Sequence, residues 1–193
     1  MSIQSVCVYC GSSNRIDEKY KQLARDVGKT LATHNMQVVY GGGHVGLMGL
    51  MADSCLEAGG KITGIIPEHI RVHEVQHKGL SELLVVDSMH ERKSLMAEKS
   101  DAFVVLPGGF GTLDETFEIL TWKQLSLHDK PIIFYNLDGF WDPVINFVKT
   151  LVETRFAPEA NLKIFKTVTT TNDLLAALLS PAEKMEAPED KWK

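Results

Sequence analysis

The chain has 193 residues, of which 44% are hydrophobic and 23% charged, with a formal net charge of −5. That is enough chain to bury a full core. The acidic balance argues against a general affinity for nucleic acid or an anionic membrane, while small anionic ligands held by local loops stay open. No apolar run is long enough to span a bilayer, and the opening MSIQSVCVYCGSS lacks the charged and apolar regions of a signal peptide, so a cytoplasmic protein is expected.

Short β-branched runs alternate with longer segments of helical period, the pattern of a parallel sheet covered on both faces. The fold class expected is α/β, with a mostly parallel sheet of about seven strands and helices on both faces. One domain is expected over residues 1–180. The first strand is expected at Val6 to Cys10 and contains Cys7 and Cys10. Residues three apart on a strand point to opposite faces, so these two cysteines read as core residues rather than a redox pair. YCGSS ends the strand, and Ser13 there can meet a phosphate or simply make a turn. Tyr20, Leu23, Ala24, Val27 and Leu31 then form one apolar helical stripe.

A second strand, Met36 to Tyr40, runs into YGGGHVGLMG. Gly41, Gly43 and Gly46 match G-x-G-x-x-G, and Glu68 follows the next strand, Ile62 to Ile66, as a dinucleotide site would ask. The motif follows the second strand rather than the first, so a phosphate contact at Gly42 and Gly43 or close backbone packing is preferred to NAD. PEHIRVHEVQHKGL, residues 67–80, has no clean apolar period and reads as an irregular excursion with at most one helical turn. Its HEVQH string spells the zinc-protease H-E-x-x-H, but that motif needs a stable helix, which this stretch does not promise.

After a strand at Leu83 to Asp87 comes DSMHERK. Ser88 and Glu91 form a capping box, but Arg92 and Lys93 oppose the dipole of the helix they begin, which a bound anion would offset. A fifth strand, Ala102 to Leu106, leads into PGGFGTLDE. Three glycines before a helix at the carboxyl end of a strand make a phosphate cradle. Thr112 and Glu115 also fit a capping box, so Glu115 is either a cap or a carboxylate that works on the sugar beside the phosphate; the second is preferred. Asp114 points elsewhere around that helix. Strands at Pro131 to Tyr135 and Ile164 to Val168 complete the sheet. The charged, proline-bearing residues 181–193 are expected to be a disordered tail.

Taken in order, CGSS, YGGGHVGLMGLMAD, DSMHERK, LPGGFGTLDE and TWKQLSLHDKP resemble the LONELY GUY family of cytokinin riboside 5′-monophosphate phosphoribohydrolases, from about Val6 to Leu179. The resemblance implies hydrolysis of the N-glycosidic bond of AMP or N6-modified adenosine monophosphates to free base and ribose 5-phosphate. It implies a Rossmann-like, nucleotide-binding catalytic domain over residues 1–180 and a homodimer with no metal and no cofactor. It makes Arg92 and Glu115 the catalytic positions. Ser13, Gly42, Gly43, Glu74, Met89, Lys93, Gly108, Gly109, Phe110, Gly111, Thr112, Leu113, Asp114 and Thr121 become nucleotide contacts. A lysine decarboxylase label, sometimes given to such sequences, finds no pyridoxal-lysine context here. A nucleotide or molybdenum-cofactor carrier of related fold is the alternative, and an NAD-dependent oxidoreductase the third choice.

Overall fold

A computed structural model describes residues 3–71 and 75–180 of the chain. The expectations for Glu74 and for the tail at 181–193 lie outside the described residues. Seven strands form one sheet: β1 (Ser5–Tyr9), β2 (Gln37–Tyr40), β3 (Ile62–Pro67), β4 (Glu82–Val86), β5 (Ala102–Val105), β6 (Ile132–Tyr135) and β7 (Lys166–Val168). Every pairing is parallel and the order is β4-β3-β2-β1-β5-β6-β7. The central strands are buried on both faces, which is why they read as continuous apolar runs rather than alternating ones.

Seven helices cover the faces: α1 (Glu18–Thr33), α2 (Leu47–Glu57), α3 (Glu68–Arg71), α4 (Met89–Glu98), α5 (Phe110–Gln124), α6 (Asp142–Glu153) and α7 (Thr171–Leu179). One core lies under α1, α2 and α7, where Leu23, Val27 and Leu31 meet Met51, Leu174 and the strand residues Val6, Val8 and Val38. The other lies under α4 and α5, where Met96, Ile119 and Leu120 meet Cys7, Val39, Phe103 and Phe134. The helical stripe expected from Leu23 to Leu31 is the buried face of α1. Gly28 lets α1 cross α2 closely, since a Cβ there would fall 2.2 Å from the Met51 carbonyl oxygen.

Cys7 on β1 and Cys10 just after it do point to opposite faces of the sheet, one in each core, and neither they nor Cys55 form a disulfide. Burial pushes the Cys55 thiol up to about 11, so it stays protonated and inert at neutral pH. Among its described residues, the excursion after β3 contains one helical turn, α3, as the sequence allowed. The end of HEVQH is not helical: Val75 takes a positive φ of 47° and Gln76 forms an isolated antiparallel bridge with Gly43. Among the described residues, no helix is long and apolar enough to cross a membrane.

Candidate active site

The chain runs from β1 outward to β2, β3 and β4, then crosses back to place β5 on the other side of β1. In an open parallel sheet the loops on the two sides of such a reversal diverge and leave a crevice at the carboxyl ends of the strands. Here the loops after β1, β2 and β5 meet at that point and bond to one another. The Gly11 N–H donates to the Pro107 carbonyl at 3.1 Å, and the Leu47 N–H donates to the Gly11 carbonyl at 2.9 Å. The Gly46 N–H donates to Asn14 Oδ1 at 2.9 Å. Gly46 has a φ of 70°, and a Cβ on it would strike the Ser12–Ser13 peptide at 2.4–2.6 Å. Ser13 is therefore held at the rim beside the glycine loop that contains Gly42 and Gly43.

The PGGFGT loop enters α5 through Gly109, an N-cap of extended conformation that makes no side-chain cap hydrogen bond. The first-turn N–H groups of Phe110, Gly111 and Thr112 face the end of the helix, where an anion is favoured. Gly108 is required by packing, since a Cβ there would come 2.1 Å from Thr112 Oγ1. At Gly109 and Gly111, among the described residues, a Cβ would meet nothing within 4 Å beyond its own chain neighbours and helix backbone. Neither packing among the described residues nor a positive φ demands glycine at these two positions.

The helix starts two residues before Thr112, so the capping box of Thr112 and Glu115 does not form. Thr112 is buried inside the first turn, and its carbonyl accepts from Thr116 Oγ1 at 2.6 Å. On α4 the other capping box does form. Ser88 Oγ accepts from the Glu91 N–H at 3.1 Å, while Glu91 reaches one residue further back than a standard box, to the Asp87 N–H at 2.9 Å. That box fixes the start of α4 and turns Arg92 inward, where it is 3% exposed. Its guanidinium lies over Gly41, so closely that a Cβ there would be 1.9 Å from Nη2. The guanidinium Nη1 also donates to Met89 Sδ at 3.8 Å.

Arg92 Nη2 stands 3.9 Å from Glu115 Oε1, an ion-pair distance beyond hydrogen-bond length. The floor beneath Glu115 is apolar: Tyr9 is 3% exposed and stacks on Phe103 with ring centroids 5.9 Å apart. Burial first, and then the neighbouring Cys7 and the Glu115 carboxylate, raise the Tyr9 hydroxyl well above its ordinary value. Burial and then Glu115 likewise raise the Cys7 thiol. The carboxylate therefore rests on neutral groups in a water-poor setting, where its charge acts strongly on whatever occupies the crevice.

Lys93 is placed differently from Arg92. Its Nζ lies 3.0 Å from Glu118 Oε2 and 3.1 Å from Asp114 Oδ2, so it ties α4 to α5. Burial draws its ammonium down, but the hydrogen bonds to Glu118 and Asp114 outweigh this and raise it. The carboxylates of α5 thus supply the countercharge that the sequence pattern had suggested a ligand would bring. Glu118 was missed as a partner, although its spacing of four from Asp114 puts both on one helix face. Leu113 is half-buried and packs into the core beneath α5, while Phe110 is 93% exposed at the mouth of the loop. Thr121 lies about 18 Å along α5 from Gly109 at 1.5 Å per residue, so within one chain it is not brought to the loop. It shares an exposed face with Phe117 and Leu125.

The family model described as "Possible lysine decarboxylase" matches residues 48–178. A probable cytokinin riboside 5′-monophosphate phosphoribohydrolase of Oryza sativa is 38% identical over 97% of this chain and 78% of its own length. A cytokinin riboside 5′-monophosphate phosphoribohydrolase of Arabidopsis thaliana is 40% identical over 97% and 83%. One from Rhodococcoides fascians is 41% identical over 92% and 90%. Among solved structures, the molybdenum cofactor carrier protein of Chlamydomonas reinhardtii superposes with a TM-score of 0.69 at 22% identity, covering 90% of this chain and 94% of that one. That likeness is one of fold. A decarboxylase would need an uncharged lysine in the crevice to form a Schiff base. Lys93 is held charged, and Lys130, which burial draws down, lies before β6 at the opposite end of the sheet with its Nζ on the Ala97 carbonyl at 2.7 Å.

Proposed function

The chain belongs to the family of cytokinin riboside 5′-monophosphate phosphoribohydrolases, and from that premise we propose that it hydrolyses the N-glycosidic bond of AMP or of N6-modified adenosine 5′-monophosphates. The products are the free base and ribose 5-phosphate. The observation that carries this reading is the pairing of buried Arg92 with Glu115 beside the open glycines of the α5 loop, at the reversal of the sheet. The phosphate binds the N–H groups of Phe110 to Thr112 and serves as a handle whose binding energy positions the ribose.

As the base leaves, positive charge builds on the ribose ring, and a carboxylate over an apolar floor stabilises it. Glu115 takes this role and aligns the attacking water, with Tyr9 and Cys7 as the neutral floor. Arg92 places its positive charge beside the Glu115 carboxylate and steadies the anionic nucleotide. Lys93, through Asp114 and Glu118, sets the separation of the two catalytic helices. Gly42, Gly43, Ser13 and Met89 line the side of the crevice nearest β2.

We further propose a homodimer, formed through the exposed α5 face of Phe117, Thr121 and Leu125, with a cytoplasmic location. A single species of twice the chain mass in light scattering is expected, and a monomer at micromolar concentration would remove this part. The function itself is tested by incubating the chain with AMP and with N6-isopentenyl-AMP and separating the products by chromatography. Release of free base is the expected result. Binding of AMP without release would leave a carrier instead.

A further inference from the structure

The excursion after β3 returns to the glycine loop. The His77 N–H donates to the Gly42 carbonyl at 3.0 Å, and the His44 N–H donates to the Val75 carbonyl at 2.9 Å. With the Gly43–Gln76 bridge between them, these bonds make a short antiparallel ladder. The ladder sets two imidazoles edge to face, with centroids 4.8 Å apart and planes at 72°. Asp53, on α2, comes to the same point, its Oδ1 2.8 Å from His77 Nε2. One ligand-capable atom from each of His44, Asp53 and His77 lies within 4.8 Å of the other two. His77 is 6% exposed, whereas His44 and Asp53 face solvent and line a surface cavity. The cluster therefore has one fixed inner donor and two outer donors that an entering ion can reach. The cations at the cavity mouth, Lys21 and Arg25, are turned to Glu18 at 3.5 and 2.8 Å.

We propose that His44, Asp53 and His77 bind one divalent transition-metal ion of the zinc class, which clasps residues 75–77 and the glycine loop to α2. Two imidazoles and one carboxylate suit a borderline ion, whereas magnesium and calcium prefer all-oxygen sets. Three protein ligands leave a position for water. The hydrogen bonds define the step. The Gly79 N–H donates to His77 Nδ1 at 3.0 Å, so the ring proton toward Asp53 is carried by Nε2. When the ion takes the Nε2 lone pair, that proton passes by way of solvent to Nδ1. Asp53 changes from hydrogen-bond acceptor to metal ligand, and the Gly79 N–H turns to water. The ring keeps the same number of protons, and no electron moves. The carboxylate and imidazole must also separate from 2.8 Å to about 3.3 Å, the spacing of ligands around a tetrahedral ion at ~2.0 Å. Both adjustments place the affinity below that of a preformed closed site. Bond cleavage at Glu115 makes no use of the ion.

The test is calorimetric titration of the full, metal-free chain with zinc chloride, with magnesium chloride as control, together with thermal melting. One zinc per chain with a micromolar Kd and a rise of several degrees in Tm are expected, and no response to magnesium. His44→Ala, which alters an exposed side chain, should weaken zinc binding by at least about tenfold while the metal-free Tm stays near that of the parent. Asp53→Asn should weaken it similarly, and the visible bands of bound cobalt should disappear in both variants. The absence of one-to-one zinc binding to the parent, or zinc binding by both variants as tight as the parent's, would overturn the proposal. None of these three readouts depends on turnover of any nucleotide.

Discussion

At the scale of single residues, Glu115 and the glycines of its loop separate what the fold needs from what a ligand needs. The helix is capped at Gly109, so Glu115 has no capping task at Thr112. Glu115→Gln keeps the size and leaves a carbonyl oxygen toward Arg92. Because the pair is buried at 3.9 Å, losing the negative charge should lower Tm, by up to about 3–5 kcal/mol of stability where a buried partner is left uncompensated, so turnover is compared well below the melting transition of the variant. Turnover of AMP should nevertheless fall by about 10²–10⁴, because the negative charge at the ribosyl cation and the help to water are both lost. A kcat within about threefold of the parent would remove Glu115 from the catalytic site. The glycines give a second contrast. Gly108→Ala drives a Cβ into Thr112, a buried contact of 2.1 Å, and should lower Tm markedly. Gly109→Ala and Gly111→Ala meet open space, so Tm should hold while KM for AMP rises. Equal melting of all three variants would show that the loop is not packed as described.

At the scale of elements, the sheet is held to its own amino edge by Asp101, which precedes β5. Its Oδ2 accepts the N–H groups of Gln4 and Ser5 at 2.9 Å each and the Ser5 hydroxyl at 3.0 Å, joining the start of β1 to the start of β5. Burial raises its carboxyl, but the donors from Gln4 and Ser5 outweigh this and hold it below the usual value. A depressed folded pKa gives stability that is present above the unfolded pKa and is lost as pH falls through the folded one. Asp101→Asn should therefore cost about 1 kcal/mol near neutrality, discounted for exposure. The difference from the parent should begin to close as pH falls through the ordinary carboxyl value near about 4 and vanish only below the lowered folded pKa, where the parent is itself protonated. Melting curves across that range decide it, and a gap that persists in acid would assign the loss to packing instead.

All seven strands were legible in the sequence because buried parallel strands are short, β-branched and bounded by turns. Their ends moved by one or two residues, as at β7, where Ile164 belongs to the turn before the strand. The capping box at Ser88 was legible, since it is local. The one read at Thr112 was not there, because the same pattern two residues inside a helix looks identical in sequence. The countercharges of Lys93 were out of reach for a related reason: which carboxylates on α5 face α4 depends on how the helices pack.

At the scale of the whole molecule, strand order decides where chemistry can occur. Loops from β1, β2 and β5 converge only because the chain reverses direction across β1, and α4 adds Arg92 from further along the sheet. That convergence was readable as separate glycine-rich turns but not as one crevice, since no single motif reports the strand order. The structure also changes the reason for expecting a phosphate. Arg92 and Lys93 face carboxylates of α5, so they do not by themselves demand an anion. What remains is the α5 N-terminus without a side-chain cap, with two glycines that packing does not require. A nucleoside lacks the group that would fill this cradle, so its ribose is neither anchored nor aligned with Glu115. Binding energy from a remote group is realised in the transition state as positioning of the reacting carbon. Adenosine should accordingly show a kcat/KM lower than that of AMP by about 10² or more, with much of the loss in kcat and not only in KM. Added inorganic phosphate should compete with AMP and should not with adenosine-only turnover, if any is detectable. Comparable kcat/KM values for the two substrates would mean that the glycine loop before α5 is not a phosphate cradle, whatever Glu115 does.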